Sequence, residues 1–287
     1  MTSPTPLFTI PIPSTGGTIV CTNPTPSLNS KPNPKSNYDH TKVYILTFTS
    51  PPDNRLTPAF ISAFLLALDI LEHRHEPGVV ITTSGIPKFY SNGLDLELVQ
   101  QTEGFFELYL WKLFRRLITY PMPTISLLNG HAFAGGFMLS MYHDYRIMNP
   151  SKGFVCLNEL DLGVPLQSPM MGVFSAKLSA PVLRELVLEA RRVPGAQAVK
   201  SGIVDALGGM EEALAFVEER GLVGKGRSGI YGALKEEMYR GLLEVLDDHE
   251  GNLKWREGIE ERKEVEAAET RKGVEKWEEG EKAKAKL

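Results

Sequence analysis

Cysteine, long apolar runs and targeting-like N-terminal segments are scarce or missing in this sequence, and each absence excludes a class of protein. The two cysteines, Cys21 and Cys156, stand in unrelated contexts, so we expect reduced thiols and predict neither a disulfide nor a cysteine metal site. No apolar run reaches the roughly 18 residues that a membrane-spanning helix needs. The N-terminus has no basic segment followed by an apolar one, so no secretory signal is expected.

The sequence also has no excess of positively charged residues. Lys and Arg number 31 against 35 Asp and Glu, a net charge of -4, so no basic field is expected to attract nucleic acid or an anionic membrane.

The Gly-x-Ser-x-Gly turn of serine hydrolases does not occur. His73 and His75 lie two apart on a predicted helix and face different ways, so no metal site is predicted. Hydrophobic residues make up 42% of the chain, which is enough for a buried core.

Apolar runs of strand length alternate with helical patterns, which predicts an α/β fold with parallel strands and right-handed crossovers. Strands are predicted at 7–12, 18–22, 43–49, 78–83, 124–128, 145–148 and 153–157, and helices at 58–74, 105–118, 169–178, 182–190, 196–201, 210–219 and 231–246. Residues 23–41, rich in Pro, Asn and Ser, predict an irregular loop. No strand pattern appears from Gly209 onward, so we predict a core over 1–207 and a helical C-terminal region over 208–287 with a charged tail.

One stretch, residues 128–163, carries the groups best suited to catalysis. Glycine at Gly135 and Gly136 lets the backbone approach a ligand closely. If a helix begins at this pair, its first N–H groups have no partner within the helix and can form half of an oxyanion hole. Glu159 follows the apolar run 154–157, and burial there would raise its pKa toward the range useful for proton transfer. The combination predicts enolate chemistry.

The loop after the buried strand at 78–83 offers a second backbone donor. Folds of the α/β class place ligand contacts where such a strand ends in a turn of small residues. The Asn92-Gly93 pair can adopt a turn that exposes a backbone N–H. A plain surface turn is the alternative, and the pair by itself does not decide between the two.

In order and spacing, these motifs resemble those of the enoyl-CoA hydratase/isomerase (crotonase) superfamily, and within it the Δ3,Δ2-enoyl-CoA isomerases. The resemblance covers roughly residues 40–207. Its segments are PPDNRLT at 51–57, ITTSGIPKFYSNGLDL at 81–96, NGHAFAGGFML and DYRI within 129–147, LNELDLG at 157–163, and Ala198, Gly202, Ile203, Val204 and Asp205. It implies a crotonase-like spiral of ββα units with a helical C-terminal region.

The resemblance also implies a chemistry. Backbone N–H groups of Asn92 and Gly135 would form the oxyanion hole for a thioester carbonyl. Hydratases of the superfamily carry two glutamates, and the corresponding positions here are Met138 and Glu159. Adding water needs a group that holds and deprotonates it, which Met138 cannot do, whereas moving a double bond from β,γ to α,β needs one base. The sequence therefore favours an isomerase of fatty-acid β-oxidation with Glu159 as the proton shuttle. A hydratase, possibly in secondary metabolism, and a non-catalytic acyl-CoA-binding protein of the same fold are the alternatives.

Substrate binding and assembly follow from the same resemblance. The CoA thioester is the substrate, no separate cofactor is implied, and the expected assembly is a homotrimer or a dimer of trimers. The residues expected at the substrate and CoA site are Arg55, Leu56, Lys88, Tyr90, Gly136 and Met138. For Arg55 and Lys88, contact with CoA phosphates and a solvated surface position both stay open.

Four other titratable residues lie near these motifs. Asp95 and Glu97 are the nearby carboxylates that compete with Glu159 for the role of catalytic base, and the family pattern implies a structural role for Asp95. His131 and His143 flank the glycine segment, and we expect them to pack rather than to catalyse.

The last three residues resemble a targeting signal. Ala285, Lys286 and Leu287 are similar to the Ser-Lys-Leu tripeptide that a peroxisomal import receptor reads. We therefore expect a peroxisomal protein with that receptor as a partner. A lysine-rich tail that ends in leucine by chance is the alternative.

Overall fold

The fold is taken from a computed structural model that describes residues 5–13, 15–24 and 39–284. Most of the predicted loop at 23–41 lies outside the described residues, and so does the tripeptide at 285–287. No helix in the part of the chain described here is long and apolar enough to cross a membrane.

Groups of two or three strands alternate with helices over much of the chain, which agrees with the predicted α/β fold, and the elements after β11 are helical. In chain order the strands are β1 (Phe8–Ile12), β2 (Gly17–Thr22), β3 (Val43–Thr49), β4 (Val79–Ser84), β5 (Phe89–Ser91), β6 (Thr124–Leu128), β7 (His131–Phe133), β8 (Tyr145–Met148), β9 (Phe154–Cys156), β10 (Val193–Pro194) and β11 (Ala206–Leu207). The helices are α1 (Pro58–Arg74), α2 (Leu96–Gln101), α3 (Trp111–Ile118), α4 (Gly135–Met141), α5 (Glu159–Leu162), α6 (Ser168–Lys177), α7 (Ala180–Leu188), α8 (Gly195–Lys200), α9 (Met210–Glu219), α10 (Tyr231–Met238), α11 (Arg240–Asp247) and α12 (His249–Lys284). A π-helical turn, Phe106–Leu110, leads into α3, and 3-10 turns span His40–Lys42 and Leu222–Ser228.

The larger sheet has the strand order β1-β2-β3-β4-β6-β8-β11. Its first three strands pair antiparallel and the remaining neighbours pair parallel. Every residue of β4 is buried because both faces of the sheet are covered. Val80 belongs to the main core cluster, whereas Val79 and Ile81 pack with Phe216 of α9 in a second cluster. The alternation of side chains along one strand thus serves two cores.

Helix α1 begins where the sequence predicts. The Thr57 side chain accepts a hydrogen bond from the Phe60 N–H at 3.2 Å, and Pro58 occupies the first turn. The buried face of α1 reaches β3 through Phe60, whose ring lies 5.4 Å from that of Phe48. Phe48 in turn contacts Tyr90 of β5 at 5.1 Å. These rings join α1 and the large sheet to the strand that leads into the candidate site.

A smaller sheet, of order β10-β9-β7-β5, holds three parallel strands and one antiparallel edge strand. The sequence prediction missed the edge strand β10, which is only two residues long. It also missed β5 and β7. Each is three residues long, and an alternating pattern over so few residues cannot be told from a turn. The omission matters because the site lies at the ends of these strands.

The described chain divides into two compact units, Met1–Leu246 and Asp247–Leu287. The first unit extends past residue 207, the boundary predicted for the core, because α9 buries Ala213, Phe216 and Val217 in the second core cluster. In the second unit, α12 is a single charged helix whose Trp255 and Trp277 are 62% and 66% exposed. The predicted helical character of the tail is confirmed.

Candidate active site

The carboxyl ends of three parallel strands meet at one edge of the small sheet. Strand β7 lies between β5 and β9, and the Ala134 N–H donates to the Cys156 carbonyl at 2.9 Å. Each strand is followed within a few residues by one component of the site: Leu94 after β5, Gly135 after β7 and Glu159 after β9. Because these strands are parallel neighbours, residues far apart in sequence follow the same edge of the sheet.

Glu159 is the first residue of α5 and is only 8% exposed. Its Oε2 atom is buried and has no hydrogen-bond partner in the described chain. Burial raises the pKa of this carboxyl from 4.5 to about 7, since an apolar environment disfavours the charged form. The burial and the raised pKa predicted from the apolar flanking residues are confirmed.

An apolar cavity of about 230 Å³ lies beside this carboxyl. Among the described residues that line it, Glu159 is the one ionisable residue, and the others come from the segments around α5, α6 and α7. They are Leu157, Leu160, Val164, Leu166, Met171, Val187 and Leu188. The cavity can therefore hold a hydrocarbon chain next to a single acid or base.

Gly135 opens helix α4 after a residue with an unusual backbone. Ala134 has φ 48° and ψ -124°, a region that favours glycine. Its carbonyl accepts hydrogen bonds from the Phe137 and Met138 N–H groups, both at 3.0 Å. The Gly135 N–H has no acceptor within the residues described here, as expected for the first residue of a helix.

The start of α4 packs so closely on the loop after β5 that side chains are excluded. A Cβ at Gly136 would overlap the Ser91 carbonyl oxygen. A Cβ at Gly135 would lie 3.1 Å from the Leu94 side chain, and one at Gly93, where φ is 83°, would lie 2.9 Å from the Gly135 nitrogen. The peptide between Gly93 and Leu94 therefore lies beside the Gly135 amide.

The structure corrects the prediction for Asn92. Its backbone N–H donates to the Asp53 carbonyl at 3.0 Å, and its side chain donates to the Asp53 carboxylate at 2.6 Å. An amide engaged in this way is not free to bind a substrate oxygen, so Asn92 supports the turn instead.

Leu94 supplies the free amide of this loop. The Gly93 carbonyl accepts from the Leu56 N–H at 2.8 Å. Because N–H and C=O point in opposite directions across a trans peptide, that bond turns the Leu94 N–H away from Leu56. No acceptor for it occurs in the structure as described. The Asn-Gly pair marked the turn in the sequence, but it could not show which amide the turn leaves free.

Three residues expected at the CoA site are buried instead. Leu56 and Tyr90 are 0% exposed and Met138 is 1% exposed. The Tyr90 hydroxyl bonds to Thr82 in the core at 2.9 Å, and Gly136 lies against Ser91. None of these residues lines the cavity beside Glu159.

The two basic candidates lie nearer the surface. Arg55 Nε donates to the Asp53 carboxylate at 3.1 Å and its Nη1 donates to the Leu94 carbonyl at 2.8 Å. Arg55 thus secures the loop that carries the free amide. The Lys88 ammonium lies 5.2 Å from the centre of the Phe89 ring, and contact of Lys88 with CoA stays a prediction.

Of the competing carboxylates, Asp95 has the structural role that was expected. Its side chain accepts from the Leu98 N–H at 3.1 Å and caps α2, while Glu97 is exposed. His143 is fully buried, and burial lowers its pKa to about 3, so it is neutral and packs in the core. His131 accepts from the Phe154 N–H and stacks on the Phe154 ring.

One residue that sequence reasoning missed is Asn54. It is fully buried, has φ 55°, and accepts from the Ser50 N–H at 2.7 Å. Its amide donates to Ser84 Oγ at 2.7 Å and to the Tyr90 carbonyl at 3.0 Å. The signal in the sequence was an Asn directly after Pro-Pro-Asp, but the two acceptors of its amide group lie 30 and 36 residues away. No group of three or more metal-ligating side chains occurs in the residues covered by the structure.

Comparison with known proteins places these motifs in context. The family model described as Enoyl-CoA hydratase/isomerase matches residues 39–282. The chain is 35% identical over 216 residues to Enoyl-CoA delta isomerase 1, peroxisomal, of Arabidopsis thaliana, covering 70% of this chain and 88% of that protein. It is 31% identical over 224 residues to Enoyl-CoA delta isomerase 3 of the same plant, covering 74% and 94%. Human mitochondrial delta3-delta2-enoyl-CoA isomerase shares the fold, with a TM-score of 0.61, 22% identity, and coverage of 78% of this chain and 95% of that one.

Proposed function

The chain belongs to the enoyl-CoA hydratase/isomerase family, and from that premise we propose that it isomerises 3-enoyl-CoA to 2-trans-enoyl-CoA, with Glu159 as the only acid-base group. One observation carries the proposal. The apolar cavity presents a single ionisable side chain, that of Glu159, whose Oε2 has no partner and whose pKa is raised to about 7. A group with such a pKa can both accept and return a proton near neutral pH.

The reaction would proceed in two proton transfers. The ionised Glu159 carboxylate takes a proton from C2 of the 3-enoyl thioester, and the electron pair moves into a dienolate whose negative charge rests on the thioester oxygen. The Gly135 and Leu94 N–H groups, both without partners, would donate to that oxygen. The protonated Glu159 then returns the proton to C4, the double bond settles between C2 and C3, and the carboxylate is regenerated.

Backbone donors contribute strongly to such a reaction. In characterised enzymes, removal of one oxyanion-hole donor costs about 3 kcal/mol of transition-state stabilisation. Main-chain donors need no particular side chain, so the identity of residue 94 matters less than the hydrogen bond that orients its peptide. The bond from the Leu56 N–H to the Gly93 carbonyl supplies that orientation.

The absence of a second acid in the cavity lining favours isomerisation over hydration. Met138, at the position where hydratases carry their other glutamate, is 1% exposed and has no group that can deprotonate water. A hydratase would convert 2-enoyl-CoA into the 3-hydroxy product. A non-catalytic binding protein would bind acyl-CoA and convert neither substrate.

The test is incubation of the purified protein with 3-enoyl-CoA and, separately, with 2-enoyl-CoA of matched chain lengths, followed by chromatography of the products. We expect conversion of the 3-enoyl to the 2-trans-enoyl thioester, and hydration at least about a hundredfold slower, the lower end of what a lost general acid-base group costs. Hydration at a comparable rate would refute the assignment, and so would binding without turnover. The result also shows which chain lengths the cavity accepts.

We propose in addition that the protein acts in fatty-acid β-oxidation in the peroxisome, as a homotrimer or a dimer of trimers, with the CoA thioester as substrate and no separate cofactor. Two Arabidopsis relatives carry the word peroxisomal in their names, whereas the rat and human relatives are named mitochondrial. Ala285, Lys286 and Leu287 support the peroxisome through their likeness to a known import signal. A fluorescent protein fused in front of this chain, with Ala285, Lys286 and Leu287 left free at the end, should enter peroxisomes, and deletion of the tripeptide should prevent entry. Light scattering of the purified protein tests the assembly.

A further inference from the structure

A chain of three buried side chains runs from β5 through β4 to the end of α4. Tyr90 Oη lies 2.9 Å from Thr82 Oγ1, and Thr82 Oγ1 lies 2.9 Å from His143 Nε2. The other ring nitrogen of His143, Nδ1, lies 2.9 Å from the Leu139 carbonyl oxygen. Tyr90, Thr82 and His143 are each 0% exposed. None of them lines the cavity beside Glu159.

The direction of every hydrogen bond in this chain is determined. Burial keeps His143 neutral, so one ring nitrogen carries a proton and the other accepts. A carbonyl oxygen only accepts, so Nδ1–H donates to Leu139 and Nε2 accepts from the Thr82 hydroxyl. The Thr82 oxygen is then left to accept from the Tyr90 hydroxyl. Each polar group in the chain therefore has a hydrogen-bond partner.

One end of the chain lies in the strand that precedes Leu94, and the other lies just past the helix that begins at Gly135. Tyr90 lies in β5, four residues before Leu94, and His143 follows α4, the helix that begins at Gly135. At its first residues α4 is already held against Ser91 and Leu94 by the close approach of its glycines. The rest of α4 packs in the main core, where for example the Phe137 ring lies 5.0 Å from that of Phe174, but apolar packing is non-directional. The link to His143 adds a directional contact just past the far end of the helix.

We propose that the chain Tyr90–Thr82–His143 positions the oxyanion hole, with the Thr82 hydroxyl as the link that holds α4 at a fixed angle to β5 and so sets the spacing of the Gly135 and Leu94 N–H groups. Thr82 is a positioning residue, because it is fully buried and does not line the cavity beside Glu159. The inference rests on the proposed function, since that function gives the two amides their role. Small displacements of a catalytic group, on the order of 1 Å, can lower a rate about a hundredfold.

The central test is Thr82→Val, which keeps the shape of the side chain and removes the hydroxyl. We expect kcat for 3-enoyl-CoA to fall about ten- to a hundredfold while KM changes less than about threefold. Thr82→Ser retains the hydroxyl and should restore most of the rate. Tyr90→Phe leaves the bond to His143 intact and should cause a smaller loss, and it serves as the second variant if Thr82→Val folds poorly.

Thr83→Val is the matched control. Thr83 is the next residue of β4, is 8% exposed, and donates its hydroxyl to the Leu127 carbonyl at 3.1 Å, but it points to the opposite face of the sheet. Its variant should lose some thermal stability and keep kcat. An equal loss of kcat in the Thr82 and Thr83 variants at equal stability would overturn the inference, as would a Thr82→Val enzyme with kcat within about twofold of wild type.

A binding measurement separates failure of this inference from failure of the proposed function. A 3-ketoacyl-CoA ionises at C2 to an enolate, and its affinity can be compared with that of the saturated acyl-CoA of equal length without any turnover. We expect Thr82→Val to weaken binding of the 3-ketoacyl-CoA about tenfold or more and to affect the saturated thioester much less, because a charged enolate oxygen depends more strongly on the paired donors than a neutral carbonyl does. Equal effects on both ligands would contradict the positioning role even in an inactive protein.

Discussion

Replacement of Glu159 by Gln should stabilise the protein at alkaline pH and not at acidic pH. The carboxyl has a pKa of about 7 in the folded protein against 4.5 for the ordinary group, and burial is the cause. At about 1.4 kcal/mol per pKa unit, the difference between the two pKa values corresponds to about 3 kcal/mol in the free energy of unfolding. The folded-state pKa is the higher one, so folding is favoured below pH 4.5, where the group is protonated in both states. That advantage is lost as the pH rises from about 4.5 through about 7.

The amide of Gln carries no charge at any of these pH values, so it avoids the cost of burying an ion. The free energy of unfolding of Glu159→Gln and of wild type should therefore be similar at pH 4, and the variant should be more stable by up to about 3 kcal/mol at pH 8.5. Urea denaturation at half-unit pH intervals measures the difference, and the other titrating groups cancel when the two proteins are subtracted. Glu103→Gln removes an exposed carboxylate and should show a difference within about 0.5 kcal/mol at every pH.

A difference between wild type and Glu159→Gln that stays constant from pH 4 to pH 8.5 would refute the reasoning. It would mean that the Glu159 carboxyl is as well solvated in the folded state as in the unfolded chain. The same result would contradict the conclusion that the pKa of Glu159 is suited to proton transfer.

Three further predictions concern the backbone around the site. Gly136→Ala forces a Cβ into the Ser91 carbonyl, so we expect kcat in the isomerase assay to fall by about a hundredfold or more; a variant with wild-type kcat would contradict the close approach. Ala134→Gly relieves the positive φ of 48° and should raise the free energy of unfolding in urea by about 1 kcal/mol, and a loss of stability would count against that strain. Asn54→Ala leaves the Ser50 N–H and the Tyr90 carbonyl without this partner, and its free energy of unfolding should fall by about 2 to 4 kcal/mol. A change below about 0.5 kcal/mol would show that the hydrogen bonds of Asn54 contribute little to stability.

The acid and one amide of the site could be predicted from the sequence because their signals are local. Glu159 follows an apolar run, and the Gly135-Gly136 pair opens an apolar segment, so burial and a close backbone approach are both visible in a short window. The identity of the second amide was not visible. Whether the Asn92 or the Leu94 N–H is free depends on the Asp53 carbonyl and the Leu56 N–H, which lie in a loop about 40 residues earlier.

The small sheet and the cavity could not be predicted from the sequence for the same reason, because both depend on contacts between distant segments. Strands β5 and β7 are three residues long and gain their stability from pairing with each other and with β9, so no periodic pattern marks them. The cavity brings Met171 of α6 and Val187 of α7 to the carboxyl of Glu159. That arrangement follows from how helices pack on the sheet edge, and nothing in the separate segments reveals it.

The most direct test of the account is the rate of double-bond migration catalysed by Glu159→Gln. The variant is isosteric and is expected to be at least as stable as wild type, so a loss of activity cannot be assigned to unfolding. We predict that kcat for conversion of 3-enoyl-CoA to 2-trans-enoyl-CoA falls about 10²- to 10⁴-fold with little change in KM. A variant that keeps kcat within about twofold of wild type would show that another group moves the proton.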